Sequence, residues 1–349
     1  MITFVPHSIF VSGATGFIAT HTIAQLLAAG HRVRGSVRST RNAEVLAPLR
    51  VLPGADDRLD LVEADLLAPD AFAGHLEGCD VVLHMASPYA LDVKDPQRDL
   101  VDPAVTGTTS LLTACLNTPG IRRVVLTSSM AAVTDEPDGR MLTEADWNTH
   151  SALTRNPYYL SKVRAERAAW AFIDTHRPSW DLIAINPFLV IGPSLTRALN
   201  TSNKVVADLL NGAYPAILAL TWGVVDVRDV ADAHVRAMDA PGAAGRYLCL
   251  AGTMTAREMV ALLRSRGYDG YRLPRLGLDG PVGTALVRLA AYAQAPGIRQ
   301  YLRTNLGRSL KADNTKIRRD LDIAFRPIEQ TVLDAAADLV TWGHVRRNG

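Results

Sequence analysis

Short apolar runs alternate with longer amphipathic stretches through the first half of the chain. The strand-like segments lie at 7–11, 31–37, 59–63, 81–84, 123–127 and 181–186, and each has the length of a strand. Between them, apolar residues recur at helical spacing at 17–29, 43–49, 100–117 and 158–176. This alternation predicts an α/β fold with a doubly wound parallel sheet and helices on both of its faces.

The alternation of strand and helix patterns ends after Gly192-Pro193, where turn residues mix with scattered aromatic and aliphatic side chains. A helix at 226–240 and a strand at 246–250 then return the chain to the earlier pattern. We therefore expect a large domain made of residues 1–192 and about 224–252. A smaller, interleaved C-terminal lobe should consist of 193–223 and 253–349.

The bulk composition is that of an ordinary globular protein. The chain has 349 residues, of which 48% are hydrophobic and 21% charged, with a net charge of +2. The sequence contains no basic tract and no run of about 20 uncharged apolar residues, which argues against a nucleic acid or membrane partner. Three cysteines without metal-ligand spacing predict reduced thiols and no metal site, and the lack of a signal-like N-terminus predicts a cytoplasmic protein.

The segment Val11-Ser12-Gly13-Ala14-Thr15-Gly16-Phe17-Ile18-Ala19 joins the first predicted strand to the first predicted helix. Gly13 allows a tight turn, Gly16 lets the backbone approach a phosphate, and the small Ala19 lets helix and strand pack closely. The helix N-terminus then offers its free N–H groups to an anion. We predict a dinucleotide site here, with cofactor contacts from Gly13, Thr15, Gly16, Phe17 and Ile18.

The residues after the second strand select between the two nicotinamide cofactors. Sites for NAD place an acidic residue about 20 residues past the glycines. The sequence has no carboxylate between Gly13 and Glu44, and Arg38 follows the second strand with Arg41 close behind. A guanidinium can hold a 2′-phosphate in a fork, which predicts NADP(H) with Arg38 as the main contact. The alternative is a solvated basic loop.

Tyr158 and Lys162 are four residues apart on a predicted helix and therefore share one face. A free tyrosine has a pKa of about 10, too high for ready proton exchange at neutral pH. A neighbouring ammonium favours the phenolate and lowers that pKa. Tyr158 is thus the candidate proton donor to a carbonyl oxygen. Lys162 would tune Tyr158 and hold the nicotinamide ribose, while the adjacent Tyr159 is the alternative as a core residue.

Hydroxyl side chains end the fifth predicted strand, at the sheet edge where ligands of open α/β sheets bind. Of Thr127, Ser128 and Ser129, we assign Ser129 as the donor that orients the substrate carbonyl and stabilises its developing negative charge. A plain serine-rich turn is the alternative. A serine hydrolase is disfavoured because no Gly-x-Ser-x-Gly segment is present.

With these residues the chain resembles the extended short-chain dehydrogenase/reductase family. Within it, the chain is most similar to the subgroup of dihydroflavonol reductases, cinnamoyl-CoA reductases and yeast-type methylglyoxal or ketone reductases. The resemblance extends over nearly the whole chain and is carried by segments 11–19, 35–39, 64–66, 84–88, 127–129, 156–162, 186–193, 227–234, 245–247 and 313–321. It implies a Rossmann fold with a substrate-binding C-terminal lobe.

The resemblance also implies further cofactor contacts. Asp65 and Leu66 would flank the adenine, and the middle of the cofactor would be lined by Met85, Ala86 and Ser87. Pro187 and Val190 would border the nicotinamide, and Thr127 and Tyr158, with Lys162, would complete the cofactor site. A strand-end turn remains the alternative for Asp65, and core packing remains the alternative for Met85.

Departures from three classes of relative narrow the range of substrates. The segments 102–108 and 188–193 lack the residues of nucleotide-sugar epimerases, and 156–160 lacks the Asn-Trp-Tyr-Cys-Tyr of cinnamoyl-CoA reductases. Thr134 stands where dihydroflavonol reductases place an asparagine on the flavonoid. A largely apolar pocket for a hydrophobic or aryl carbonyl is expected, lined by Ser87, Pro88, Tyr89, Met130, Phe188, Leu189, Leu218 and Trp222.

The sequence thus predicts NADPH-dependent reduction of a ketone or aldehyde to the alcohol by a monomer or homodimer. Two alternatives stay open. One is NAD(P)-dependent oxidation of a ring alcohol, as in hydroxysteroid dehydrogenases. The other is a sensor that binds NADP without turnover, although such proteins usually lose the Tyr–Lys pair.

Overall fold

The computed structural model describes residues 6–68, 70–87, 93–294 and 296–347. Two residues predicted to line the substrate pocket, Pro88 and Tyr89, lie outside the described residues. Fourteen strands are described: β1 Ser8–Ser12, β2 Arg32–Val37, β3 Leu59–Glu63, β4 Val81–His84, β5 Arg123–Thr127, β6 Met141–Leu142, β7 Asp181–Pro187, β8 Leu189–Ile191, β9 Ile217–Leu218, β10 Thr221–Asp226, β11 Gly245–Cys249, β12 Gly252–Thr255, β13 Gly277–Leu278 and β14 Lys311–Ala312.

Twelve α-helices accompany these strands in the described chain. They are α1 Phe17–Ala28, α2 Ala43–Arg50, α3 Ala55–Arg58, α4 Asp102–Leu116, α5 Pro157–His176, α6 Thr201–Leu210, α7 Val227–Asp239, α8 Ala256–Leu263, α9 Pro281–Ala290, α10 Pro296–Asn305, α11 Thr315–Asp320 and α12 Ile328–Thr341. The strands and helices predicted for the first half are confirmed, with ends that differ by at most two residues. None of the described helices is long and apolar enough to cross a membrane.

Seven parallel strands form the central sheet in the order β3-β2-β1-β4-β5-β7-β11. The chain runs outward from β1 in one direction and then, from β4 onward, in the other. This reversal confirms the doubly wound Rossmann-type α/β fold. Because ligands of open α/β sheets bind at the carboxyl ends of the strands where the order reverses, the fold places a site at the ends of β1 and β4.

Side chains on the strands alternate between two apolar layers. Ile9 and Val11 of β1 face one layer, which also receives α1 and α7, whereas Phe10 faces the other. The second layer contains apolar side chains of α4 and α5. Both faces of the sheet are therefore covered by helices, which explains why the inner strands β1, β4 and β5 carry apolar side chains towards both faces.

The remaining elements form a smaller unit around their own apolar cluster. This cluster gathers side chains of α6, α8, β10 and α12. A three-stranded sheet, β12-β10-β8, joins it to the end of β7. The division of the chain into 1–192 with 224–252 and 193–223 with 253–349 stays a prediction. Within the last range, Ile317, Leu321 and Ile323 pack against the central sheet rather than in the lobe cluster.

A substitution at Leu83 tests the burial of β4 within the central sheet. It lies on β4 in the middle of the sheet and is fully buried. We expect Leu83→Ala to lower the free energy of unfolding by about 2–5 kcal/mol, because it removes a buried side chain and leaves a cavity. Urea denaturation followed by circular dichroism measures the change. Leu116→Ala, at the exposed end of α4, is the control and should lose less than about 1 kcal/mol. Equal losses in the two variants would contradict this placement of β4.

Candidate active site

The turn between β1 and α1 has no room for a side chain at Gly13. Gly13 has φ +69°, and a Cβ atom there would lie 3.0 Å from Cα of Ala86. The Gly16 N–H donates to the Gly13 carbonyl at 2.9 Å and closes the turn. The first helical hydrogen bond runs from the Thr20 N–H to the Gly16 carbonyl, so the preceding amides have no acceptor within the helix.

This turn fits a pyrophosphate. The first turn of α1 contains no acidic residue that would repel an anion. Gly16 is exposed and Thr15, Phe17 and Ile18 are half-buried, so all four are accessible at the helix N-terminus. The accessible amides together with the positive end of the helix dipole favour a bound phosphate.

The end of β2 presents the basic residue predicted to select NADP(H). Arg38 is exposed, and its guanidinium makes no hydrogen bond or ion pair to another residue in the described part of the chain. The following turn is anchored to β3, because the Glu63 carboxylate accepts the Thr40 N–H at 2.6 Å and the Thr40 hydroxyl at 2.9 Å. Arg38 therefore extends from an anchored turn, and its guanidinium is accessible to a ligand.

The two residues predicted to flank the adenine follow β3. Asp65 is exposed and its carboxylate accepts the Leu67 N–H at 3.0 Å, as expected of a turn residue. Leu66 packs so closely on α4 that a Cβ atom at Gly107 would lie 2.4 Å from its Cγ. Gly107 thereby provides the space that Leu66 occupies.

A buried serine shapes the segment after β4. The Ser12 hydroxyl accepts the Met85 and Ala86 amides, each at 2.9 Å, and pairs with Nδ1 of His84 at 2.8 Å. Because the two amides use both lone pairs of Ser12, its proton must be donated to His84. Burial, together with the positive charge of Lys162, lowers the pKa of His84 to about 3, so that this imidazole is neutral.

Helix α5 carries the predicted proton donor and its lysine. It begins after Asn156, whose left-handed backbone (φ +50°) turns the chain into the helix. The Lys162 ammonium lies 5.6 Å from the centre of the Tyr158 ring and donates to the Ser87 hydroxyl at 2.6 Å. Lys162 is almost fully buried, and burial lowers its pKa to about 8. The structure thus brings together three of the predicted site residues.

The three hydroxyl residues at the end of β5 have different partners. Thr127 donates to Nε2 of His234 at 2.8 Å, because Nδ1 of that imidazole donates to the Val230 carbonyl. The Ser128 hydroxyl donates to the buried carboxylate of Glu166 at 2.5 Å. The Ser129 hydroxyl accepts the Ala131 N–H at 3.1 Å and is half-buried, which keeps its proton available to a substrate.

Sequence reasoning missed the residues behind this strand end. Glu166 on α5 accepts hydrogen bonds from Arg246 on β11 and from Asn186 at the end of β7. Glu166 follows Lys162 by one helical turn, a spacing that could have identified it as a residue of the same face. No local pattern could have paired it with Arg246, which is 80 residues away.

A second polar cluster connects the start of α5 to the lobe. Asp135 is buried and accepts hydrogen bonds from Ser151 at 2.9 Å and Asn156 at 3.3 Å. Glu136 is ion-paired with both Arg155 and Arg308, and Arg308 lies beyond α10 in the lobe. The sequence analysis also missed these residues, which hold the backbone just before Tyr158.

The predicted nicotinamide and pocket residues fall into different apolar clusters. Pro187 is buried at the end of β7, and Val190 packs in the layer of α1 and α7. Met130 and Phe188 lie in a small cluster with Leu248 and Leu310. Leu189, Leu218 and Trp222 belong to the lobe cluster, where the Trp222 N–H donates to the Tyr301 hydroxyl at 2.9 Å. Packing alone accounts for these last three, and their role in a pocket stays a prediction.

Comparison with known proteins identifies relatives of this site. The sequence model of the NAD dependent epimerase/dehydratase family matches residues 9–249. A cinnamoyl-CoA reductase of Medicago truncatula is 40% identical over 278 residues, which span 77% of this chain and 83% of that protein. A dihydroflavonol 4-reductase of Zea mays is 34% identical over 275 residues, or 77% of this chain and 76% of that protein.

The fold is also shared with solved reductases. The crystal structure of yeast methylglyoxal/isovaleraldehyde reductase complexed with NADPH has a TM-score of 0.79 and 29% sequence identity to this chain. The match covers 97% of this chain and all of that structure. The predicted resemblance to this reductase subgroup is therefore confirmed.

The burial of Lys162 makes a prediction about stability and pH. Its pKa is about 8 in the folded chain and 10.5 ordinarily. Between these values the unfolded chain binds more protons, so the free energy of unfolding should rise with pH in this window. The shift corresponds to about 3 kcal/mol. In urea denaturation without cofactor, the wild type should gain about this much relative to Lys162→Met between pH 8 and 10.5.

Lys204→Met, which removes an exposed lysine of α6, is the matched control for loss of a charge. It should follow the wild type across the same pH range. Parallel pH curves for the wild type and Lys162→Met would show that burial does not lower the pKa of Lys162.

Proposed function

The chain belongs to the NAD dependent epimerase/dehydratase family, and on that premise we propose that it is an NADPH-dependent reductase of ketones or aldehydes. One observation carries the proposal. The Lys162 ammonium lies beside the Tyr158 ring and donates to Ser87, on the segment that contacts the glycine turn. A proton donor, its tuning cation and a phosphate-binding turn are thereby held in one site.

The cofactor is NADP(H), and its parts are assigned to successive segments. The pyrophosphate binds the turn of Gly13, Thr15, Gly16, Phe17 and Ile18, with Arg38 on the 2′-phosphate. Asp65 and Leu66 flank the adenine. The rest of the cofactor would be held by Met85, Ala86, Ser87, Thr127, Tyr158, Lys162, Pro187 and Val190.

Bound NADPH supplies the hydride that reduces the carbonyl carbon. The Tyr158 hydroxyl donates its proton to the carbonyl oxygen, and the Lys162 ammonium stabilises the phenolate that is left. The Ser129 hydroxyl donates a hydrogen bond to the same oxygen, which aligns the substrate and stabilises its developing negative charge. The neutral His84 adds no second positive charge beside Lys162.

The substrate is a hydrophobic or aryl carbonyl compound. Met130 and Phe188 give the side of the site next to Ser129 an apolar character. Two relatives are named as reductases of aromatic compounds that carry a carbonyl group, cinnamoyl-CoA and a dihydroflavonol. Residues 156–160 read Asn-Pro-Tyr-Tyr-Leu instead of the Asn-Trp-Tyr-Cys-Tyr of cinnamoyl-CoA reductases, which argues against a thioester substrate, so cinnamoyl-CoA belongs in the substrate panel as a discriminating member.

Tyr158→Phe tests the proton donor. We expect kcat/KM to fall by at least about 100-fold with NADPH and the best substrate from a panel of aryl ketones, β-ketoesters, aldehydes, flavanones and cinnamoyl-CoA. Loss of NADPH absorbance measures turnover, and quenching of protein fluorescence by NADPH measures binding. Tyr159→Phe removes the neighbouring hydroxyl and should keep most of the activity. Activity retained in Tyr158→Phe would refute this mechanism, and NADPH binding without turnover in the wild type would favour the sensor.

Arg38→Ala tests the cofactor preference. Loss of a charge-assisted fork to the 2′-phosphate should lower kcat/KM for NADPH by about tenfold or more and leave the value for NADH nearly unchanged. Arg32→Ala removes an exposed arginine at the other end of β2 and is the matched control. An unchanged NADPH/NADH ratio in Arg38→Ala would remove this residue from the cofactor site.

A further inference from the structure

Glu166 lies on the face of α5 that carries the reacting groups. It follows Lys162 by four residues and Tyr158 by eight, so the three side chains form one stripe along the helix. Glu166 is only 1% exposed. A carboxylate at this depth must be fully hydrogen-bonded or paired with a cation, because burying an uncompensated charge is strongly destabilising.

Three side chains from other parts of the fold, and Trp170 of α5 itself, meet this carboxylate. One oxygen accepts the Ser128 hydroxyl at 2.5 Å and the Asn186 amide at 2.8 Å. The other accepts the Arg246 guanidinium at 2.6 Å and the Trp170 indole at 3.2 Å. Glu166 therefore links α5 to the ends of β5 and β7 and to β11.

Two of these residues, Asn186 and Ser128, also hold the backbone next to or at Ser129. The Asn186 amide also donates to the Ser129 carbonyl at 3.2 Å, and Ser128 is bonded to Ile185 of β7 through its own N–H at 2.8 Å. Arg246 further donates to the carbonyls of Glu144 and Asp146, and its guanidinium lies 3.9 Å from the centre of the Trp147 ring. Arg246 is thereby fixed independently of Glu166.

We propose that Glu166, held by Arg246, is a positioning residue for the carbonyl reduction. It does not touch substrate or cofactor. It sets the separation between the Ser129 hydroxyl, two residues after β5, and the Tyr158 and Lys162 side chains, on α5. The inference rests on the proposed function, because it concerns how the reacting groups are aligned. A misplacement of about 1 Å is enough to lower a rate by about 100-fold.

Glu166→Gln is the principal test. Its amide keeps one carbonyl oxygen and carries an NH2 group in place of the other, so the Arg246 charge loses its counter-ion and the donors at one of the two oxygen positions lose their acceptor. We expect kcat to fall by about 10- to 100-fold while KM for NADPH changes by less than about threefold. Ser128→Ala removes one hydroxyl from the same cluster and should give a smaller loss of kcat with the same split.

Asp229→Asn is the matched control. Asp229 is equally buried on α7 and is paired with Arg326. Its variant should lower Tm as Glu166→Gln does, with kcat within about twofold of the wild type. Because Ser128 acts through Glu166, the double variant that combines Ser128→Ala with Glu166→Gln should have a kcat no lower than that of Glu166→Gln alone. A kcat that falls in proportion to Tm in both acidic variants would overturn the proposal, as would an unchanged kcat in Glu166→Gln or in Ser128→Ala.

Amide hydrogen exchange of the cofactor-free protein gives a readout that does not depend on turnover. Segments 127–131 and 156–162 should exchange at least about tenfold faster in Glu166→Gln than in Asp229→Asn. If Glu166→Gln does not fold, Ser128→Ala supplies the same comparison. Equal exchange in the two variants would overturn the positioning role. Absence of turnover in the wild type, with the exchange difference present, would instead refute the proposed function alone.

Discussion

The arrangement of the candidate site depends on one buried charge, the Glu166 carboxylate. Water does not reach it, so its charge must be compensated by protein groups, and these come from Arg246, Asn186, Ser128 and Trp170. The requirement is physical, because an unpaired ion in a poorly polarisable interior is far more costly than a paired one. Satisfying it fixes the ends of β5 and β7, together with β11, against α5, beside the hydroxyl, the phenol and the ammonium of the proposed mechanism.

The cofactor side of the site depends on a different constraint, the absence of side-chain volume. Gly13 approaches Ala86 closely, and Gly107 leaves room for Leu66. The Ser12 hydroxyl then holds the Met85 and Ala86 amides, which keeps this segment beside the glycine turn. Small residues thus set the distances on this side, while hydrogen-bonded charge sets them on the side of α5.

Features that depend on residues close together in the sequence could be predicted, whereas features that depend on residues far apart in the sequence could not. The strands, the glycine turn and the Tyr158–Lys162 pair depend on neighbouring residues or on one helical turn, and each could be predicted from local pattern. The pairs Ser12–His84 and Glu166–Arg246 join residues 72 and 80 positions apart. Their partners become neighbours only through the order of strands in the sheet, which no local spacing encodes. Leu218 and Trp222 illustrate the converse, because their apolar character is equally compatible with a pocket and with the lobe cluster that contains them.

The two buried charges of α5, on Glu166 and Lys162, differ in whether the surrounding protein neutralises them. This difference accounts for their separate roles. Glu166 has an arginine and three neutral donors, so its charge is neutralised within the fold and can serve to hold other groups. Lys162 has the Ser87 hydroxyl and the face of a tyrosine, and no carboxylate lies within ion-pair distance of it in the described ranges. Its positive charge is therefore uncompensated, which is why burial lowers its pKa to about 8. An uncompensated cation destabilises the fold without bound ligand. Negative charge on the neighbouring phenol would stabilise that cation. The unpaired charge of Lys162 therefore lies where the proposed reaction would develop negative charge.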